Sequence, residues 1–205
     1  MTRKTKTKYV ILLFFPYFTI YFLLQSATTS GYNLLTDVDI IIPFVPEFIW
    51  VYHTLIPVFF ITTVLMIEKK NVFFSAMFSV FIASVIMIAF YTFFPVFYPR
   101  DGHTEASLSG LMVELTRTID GANNTFPSAH VTFSWLLAFF AGMSAYAKKN
   151  RWIKPVYLSW ALLISISTVT LKQHFVVDVF SGMVLAMACF VLAKNVVYER
   201  MFATN

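Results

Sequence analysis

Six runs of apolar residues divide this chain: 8–26, 48–67, 72–97, 131–147, 152–171 and 175–193. Crossing the hydrocarbon core of a bilayer takes roughly 20 residues of helix, and each run comes near that length. The runs are continuous rather than alternating, which excludes a closed barrel and leaves helices to satisfy every backbone group in lipid. The pattern therefore predicts an all-α, polytopic membrane protein with six transmembrane helices in one bundle, a single domain over residues 1–205. Pro16 and Pro57 fall inside the first two runs, where neighbouring helices can re-satisfy a kinked backbone. Pro155 falls near the start of the fifth, where a missing amide hydrogen costs nothing.

Two polar intervals interrupt the pattern. Segment 27–47, with Asp37, Asp39, Glu47, Pro43 and Pro46, is expected to lie across the membrane surface, its acidic pair solvated. In segment 98–130, Leu108, Leu111, Met112, Leu115 and Ile119 recur at helical spacing, with Glu105, Glu114 and Arg117 off that stripe. This predicts a short amphipathic helix after the third span, capped by Thr104, ended by Gly121 and lying in the interface. It would anchor the loop or form the rim past which a lipid enters sideways.

Composition fits a protein whose main solvent is the bilayer: 59% of the 205 residues are hydrophobic and 12% are charged, more apolar surface than a soluble domain of this size can hide. Charge placement then sets the orientation. With the N-terminus cytoplasmic, the inner segments hold Arg3, Lys4, Lys6, Lys8, Lys69, Lys70, Lys148, Lys149, Arg151, Lys154, Lys194 and Arg200, 12 of the 15 basic residues. The positive-inside rule thus places both termini in the cytoplasm. The net charge of +5 reads as an inner rim facing anionic lipid headgroups, not as a nucleic-acid surface. Residues 1–26 read as an uncleaved signal anchor. The single cysteine, Cys189, allows no intramolecular disulfide.

Three basic residues remain outside: Arg100, Arg117 and Lys172. Arg100 and Lys172 flank the segments with the most chemistry, Phe126-Pro127-Ser128-Ala129-His130 and Lys172-Gln173-His174-Phe175-Val176-Val177-Asp178. Each begins an apolar run, and both fall on the outer face. His174 and Asp178 are four apart and share a helix face. A carboxylate there can take one ring N–H and leave the other nitrogen as a nucleophile. Ionisable groups in a membrane helix are costly and usually mark function, although such a pair can also serve a helix–helix contact. A metal site from His130, His174 and Asp178 could suit zinc, but no further ligand stands nearby, so no cofactor is expected.

Pro127 is suited to a first helical position, and the free amides beside it form an anion site. The Ser128 hydroxyl and Ala129 amide would hold phosphate oxygens, and His130 would protonate the leaving group. Arg100 offers a guanidinium matched to phosphate, and Lys172 a second cation, unless it is simply a solvated loop residue. His103 reads as a plain loop residue and His53 as a buried, hydrogen-bonded one. Asn123-Asn124-Thr125 matches a glycosylation acceptor, but a glycan there would obstruct the site, so it is expected to be unused.

Over roughly residues 50–195, these segments resemble the type 2 phosphatidic acid phosphatase superfamily. Its three signatures are Lys, six residues, Arg-Pro; then Pro-Ser-Gly-His; then Ser-Arg, five residues, His, three residues, Asp. The resemblance implies His174 as the residue attacking phosphorus, Asp178 as its orienter and His130 as the acid, with Arg100 and Ser128 on phosphate. Phe93 stands in place of the first Lys, Asp101 follows Arg100 instead of Pro, Ala129 replaces Gly, and Thr168 replaces the third-signature Arg. Loss of cations, and the His-aromatic-x-x-Asp form of the third segment, are similar to the inositol phosphorylceramide synthase branch.

The expected function is hydrolysis of a phosphomonoester or diphosphate lipid through a phosphohistidine. The alternative is a phosphotransferase giving the group to a lipid or sugar hydroxyl. A third reading is a non-catalytic transporter or scaffold on a decayed site. The expected partners are a phosphorylated lipid and the bilayer, without nucleic acid; oligomeric state is not legible.

Overall fold

The computed structural model describes residues 1–100, 102 and 106–199. Among these the chain is helical, with one isolated bridge between Tyr32 and Val96 and no strand. Helix α1 spans Arg3–Ala27 and starts at Thr2, whose hydroxyl accepts the Thr5 amide at 3.2 Å. Segment 27–47 contributes the single turn α2, Asp37–Ile41.

The second apolar run is not one regular helix. It passes through a 3₁₀ turn, Pro46–Phe48, then α3, Ile49–Tyr52, α4, Leu55–Ile61, and a wider π turn, Thr62–Met66. The break at His53 and Thr54 begins four residues before Pro57, which has no amide to return to the His53 carbonyl and whose ring would press against it. This break brings Tyr52 and His53 to the edge of the site described below.

Helix α5 spans Lys70–Phe93, α6 Leu108–Ile119, α7 Ala129–Gly142, α8 Ala145–Lys149, α9 Ile153–Thr170 and α10 Val176–Ala193, continued as a π turn over Lys194–Glu199. Among the described residues, five helical segments are long and apolar enough to cross a membrane: Arg3–Ala27, Pro46–Met66, Lys70–Phe93, Ile153–Thr170 and Val176–Glu199. The fourth run, expected as a sixth span over 131–147, is instead a 14-residue helix. At 1.5 Å per residue it reaches about 21 Å, short of the ~30 Å core. It stops at Met143 because Ser144 caps the next helix, accepting the Ala147 amide at 3.2 Å. Helix α7 is wrapped by α5, α9 and α10, so its length is set by protein neighbours.

One end of the bundle is tied together by lysine. Lys6 is buried, and its ammonium donates to the carbonyls of Val64 at 3.2 Å and Ile67 at 2.5 Å. A cation thus satisfies carbonyls left open at a helix C-terminus. At the opposite end the starts of α7 and α10 meet, with the Ser128 amide donating to the Asp178 carbonyl at 3.2 Å. Gly182 makes this contact possible: a Cβ there would stand 2.9 Å from the Ser128 carbonyl oxygen and 3.1 Å from Val131 Cβ. Gly182→Ala must push the two helix starts apart. Overpacking of this kind costs about 1–3 kcal/mol. Thermal melts in detergent should show a lowered Tm.

The expected amphipathic helix exists as α6, with two differences. Its cap is Ser107, whose hydroxyl accepts the Gly110 amide at 3.0 Å, while Thr104, Glu105, His103 and Asp101 lie outside the described residues, as does Arg200. Its stripe of Leu108, Leu111, Leu115 and Ile119 is exposed, and the inward face is Gly110, Val113 and Thr116. The apolar side therefore faces away from the bundle.

Candidate active site

The capped end of α7 fixes His130. Ser128 is the N-cap, its hydroxyl accepting the Val131 amide at 3.4 Å, and Ala129 is the first helical residue. Pro127 therefore lies outside the helix, not at its first position as expected. His130 follows in the first turn, where Tyr52 stacks on its ring at 3.9 Å between centroids and 22° between planes.

His174 sits in the tight turn joining α9 to α10. The Thr168 carbonyl accepts the amides of both Gln173 and His174, at 3.0 and 3.2 Å. The His174 Nδ1 lies 2.9 Å from the Thr125 carbonyl oxygen and 3.4 Å from Asp178 Oδ2. A carbonyl only accepts, so Nδ1 carries the hydrogen and Nε2 keeps a free lone pair. Asp178, fully buried, also accepts the Phe175 amide at 2.9 Å and so fixes the start of α10. The rings of His130 and His174 stand 6.3 Å apart between centroids, a spacing that lets one phosphate group touch both.

Arg100 approaches from the loop after α5. Its Nη2 donates to the carbonyls of Asp120 at 3.2 Å and Gly121 at 2.7 Å, and its Nη1 donates to Gln173 Oε1. Burial lowers its pKa from the ordinary arginine value, opposed chiefly by nearby Asp120. Its Nε is buried without a partner among the described residues.

These groups line one cavity of about 240 Å³, with Arg100, Asp120, Ala129, His130, Gln173 and His174 at its polar end. Its other walls include Phe18 and Phe22 of α1, Ile56 of α4, and Leu115 and Ile119 of α6. Those five side chains are exposed, so the cavity reaches the apolar outer surface sideways. Among the described residues, no cluster of three His, Cys, Asp or Glu side chains is arranged to hold a metal.

The structure thus gathers Arg100, Ala129, His130 and His174, with Asp178 directly behind His174. It does not bring in Lys172. That residue has φ 55°, a left-handed turn, and its ammonium donates to the carbonyls of Asp39 at 2.7 Å and Ile42. Burial lowers its pKa, opposed by Asp39. Ser128 is buried behind Ala129 and does not line the cavity. Phe93, in place of the family's lysine, is 83% exposed and points outward.

Asp39 is not solvated either. It is 3% exposed, and its carboxylate accepts the Val176 amide at 2.7 Å and the Thr36 amide and hydroxyl at 2.8 and 2.6 Å. It thereby holds the beginning of α10 in place. His53 is exposed rather than buried; its Nε2 pairs with the Thr116 hydroxyl at 2.9 Å beside the cavity. Asn123, Asn124 and Thr125 are buried, and Asn123 Nδ2 donates to the carbonyls of Gln25 and Thr28, which closes the sequon to a glycan. Asp120, Gln173, Tyr52 and the Thr125 carbonyl were not singled out by sequence reasoning. The Asp120 carboxylate accepts hydroxyls from Tyr21 at 2.5 Å and Tyr52 at 3.3 Å.

The sequence profile of the PAP2 superfamily matches residues 68–202, a stretch that contains α5 and every motif residue above. No curated protein and no solved structure matches the chain.

Proposed function

The chain belongs to the PAP2 superfamily, and we propose that it hydrolyses a lipid phosphate ester through a phosphohistidine formed on His174. Membership suggests phosphatase or phosphotransferase chemistry on a phosphorylated substrate, and the five long apolar helices support an integral membrane protein. The finer reading rests on one observation: two histidine rings 6.3 Å apart in a cavity whose far wall is apolar.

The lipid enters between α1, α4 and α6 and places its phosphate between the rings. Arg100 and the amides at the start of α7 hold its oxygens. His174 Nε2 bonds to phosphorus as the P–O bond to the leaving alcohol breaks, and His130 gives that oxygen its proton. Water, deprotonated by His130, then breaks the N–P bond. The fixed N–H donors stabilise charge in a site poor in water. The outward apolar stripe of α6 lies in the interface and forms the rim past which the lipid passes. On the positive-inside reading the termini are cytoplasmic and this site faces the outer side.

Purified protein should be incubated with phosphatidic acid, phosphatidylglycerol phosphate, a polyprenyl diphosphate, a sphingolipid phosphate and a phosphatidyl diester, with and without alcohol acceptors. At least one lipid should lose its phosphate group to water. Product seen only with an acceptor would favour transfer over hydrolysis. Failure to cleave or transfer from every lipid would contradict the enzyme reading.

A further inference from the structure

The charge inside the cavity does not match a doubly charged ligand. Among the described residues Arg100 is the single Lys or Arg in its wall, and three of its bonds already go to the carbonyls of Asp120 and Gly121 and to Gln173. Lys172 is turned away, and Arg117, the next cation, is paired with Glu114 at 3.1 Å. Against Arg100 stand two carboxylates, Asp120 in the wall and Asp178 behind His174.

Gln173 adds a donor without adding charge. Arginine can only donate, so the Gln173 oxygen is the atom facing Arg100 and the nitrogen is the other one. That Nε2 is buried without a partner among the described residues, on a residue that is 2% exposed and lines the cavity. The Tyr21 and Tyr52 hydroxyls are committed to Asp120. The phosphate end of the cavity therefore offers one guanidinium, one neutral amide and helix amides, beside a fixed carboxylate.

From this arrangement we infer that the site selects a singly charged phosphodiester lipid over a doubly charged phosphomonoester, with Asp120 as the specificity-determining charge and Gln173 as a phosphate donor. This rests on the histidine chemistry proposed above. A diester keeps one negative charge, whereas a phosphomonoester with its second pKa near ~6 carries close to two at neutral pH. In a site of reduced dielectric the extra charge is repelled by Asp120. His174 Nε2 forms the N–P bond as one ester P–O bond breaks and His130 protonates that alcohol. Water then breaks the N–P bond, giving its proton to His130, and the product is a phosphomonoester. Because that product is the disfavoured charge state, it leaves instead of being cleaved again.

The test compares dioctanoyl phosphatidylmethanol with dioctanoyl phosphatidic acid, which differ by one methyl and one charge. At about pH 7.5 the wild type should show kcat/KM higher for the methyl ester by about tenfold or more. The ratio should fall toward one at about pH 5, where phosphatidic acid loses its second charge. Asp120→Asn should shrink the ratio at about pH 7.5, and if that variant does not fold, the wild-type pH comparison decides. Phosphatidic acid turned over as well as the methyl ester at about pH 7.5, or a ratio unchanged by pH, overturns the charge selection alone. Turnover of neither ester overturns the charge selection, and turnover of no lipid in the wider panel overturns with it the histidine chemistry it rests on.

Discussion

His174→Ala is expected to reduce turnover by roughly 10⁴- to 10⁶-fold, as deletion of a covalent nucleophile does elsewhere. The proposed reacting atom is Nε2, and its availability depends on the hydrogen held at Nδ1 by the Thr125 carbonyl. The variant should still fold. The start of α10 is held by Asp178 on the Phe175 amide and by Asp39 on the Val176 amide, not by the imidazole. Alcohol release should therefore vanish while the helical circular dichroism and melting temperature stay near wild type. Retained turnover of a lipid that the wild type cleaves would remove His174 from the chemistry.

His130→Ala should lose ~100- to 10,000-fold with a lipid alcohol as leaving group, the usual span for general acid catalysis, equivalent to ~3–5 kcal/mol of barrier. The loss depends on the leaving group, which separates an acid from a merely structural histidine. An aryl diester such as methyl p-nitrophenyl phosphate loses p-nitrophenolate without a proton, so its first step should be nearly unaffected. The second step still needs His130 to activate water, so the phosphorylated enzyme should accumulate. Equal losses for alkyl and aryl leaving groups would make His130 a packing residue under Tyr52.

The helices and the two histidine segments were legible in the sequence because apolar runs, and polar groups at their starts, are local signals. The fourth run forms a shorter helix than its apolar length predicts, because α7 is packed among α5, α9 and α10 and burial does not require a bilayer-length helix. The place of Lys172 was not legible, because the left-handed turn at that residue, invisible in composition, sends its side chain toward Ile42. Asp39 reaches Val176 across 137 positions, and no spacing rule connects them. The Thr125 contribution is a backbone carbonyl, which every residue has. Asp120 and Gln173 gained meaning only when the fold placed them against Arg100. What could be read were the groups proposed to react; what could not were the groups packed around them.

The most direct measurement is a rapid alkaline quench of enzyme mixed with phosphorus-labelled lipid, followed by peptide mapping. The expected result is label joined through nitrogen to His174, formed and lost as fast as turnover, increased with an aryl substrate in His130→Ala and absent in His174→Ala. Turnover without any bound phosphorus, or label on a residue other than His174, would contradict it.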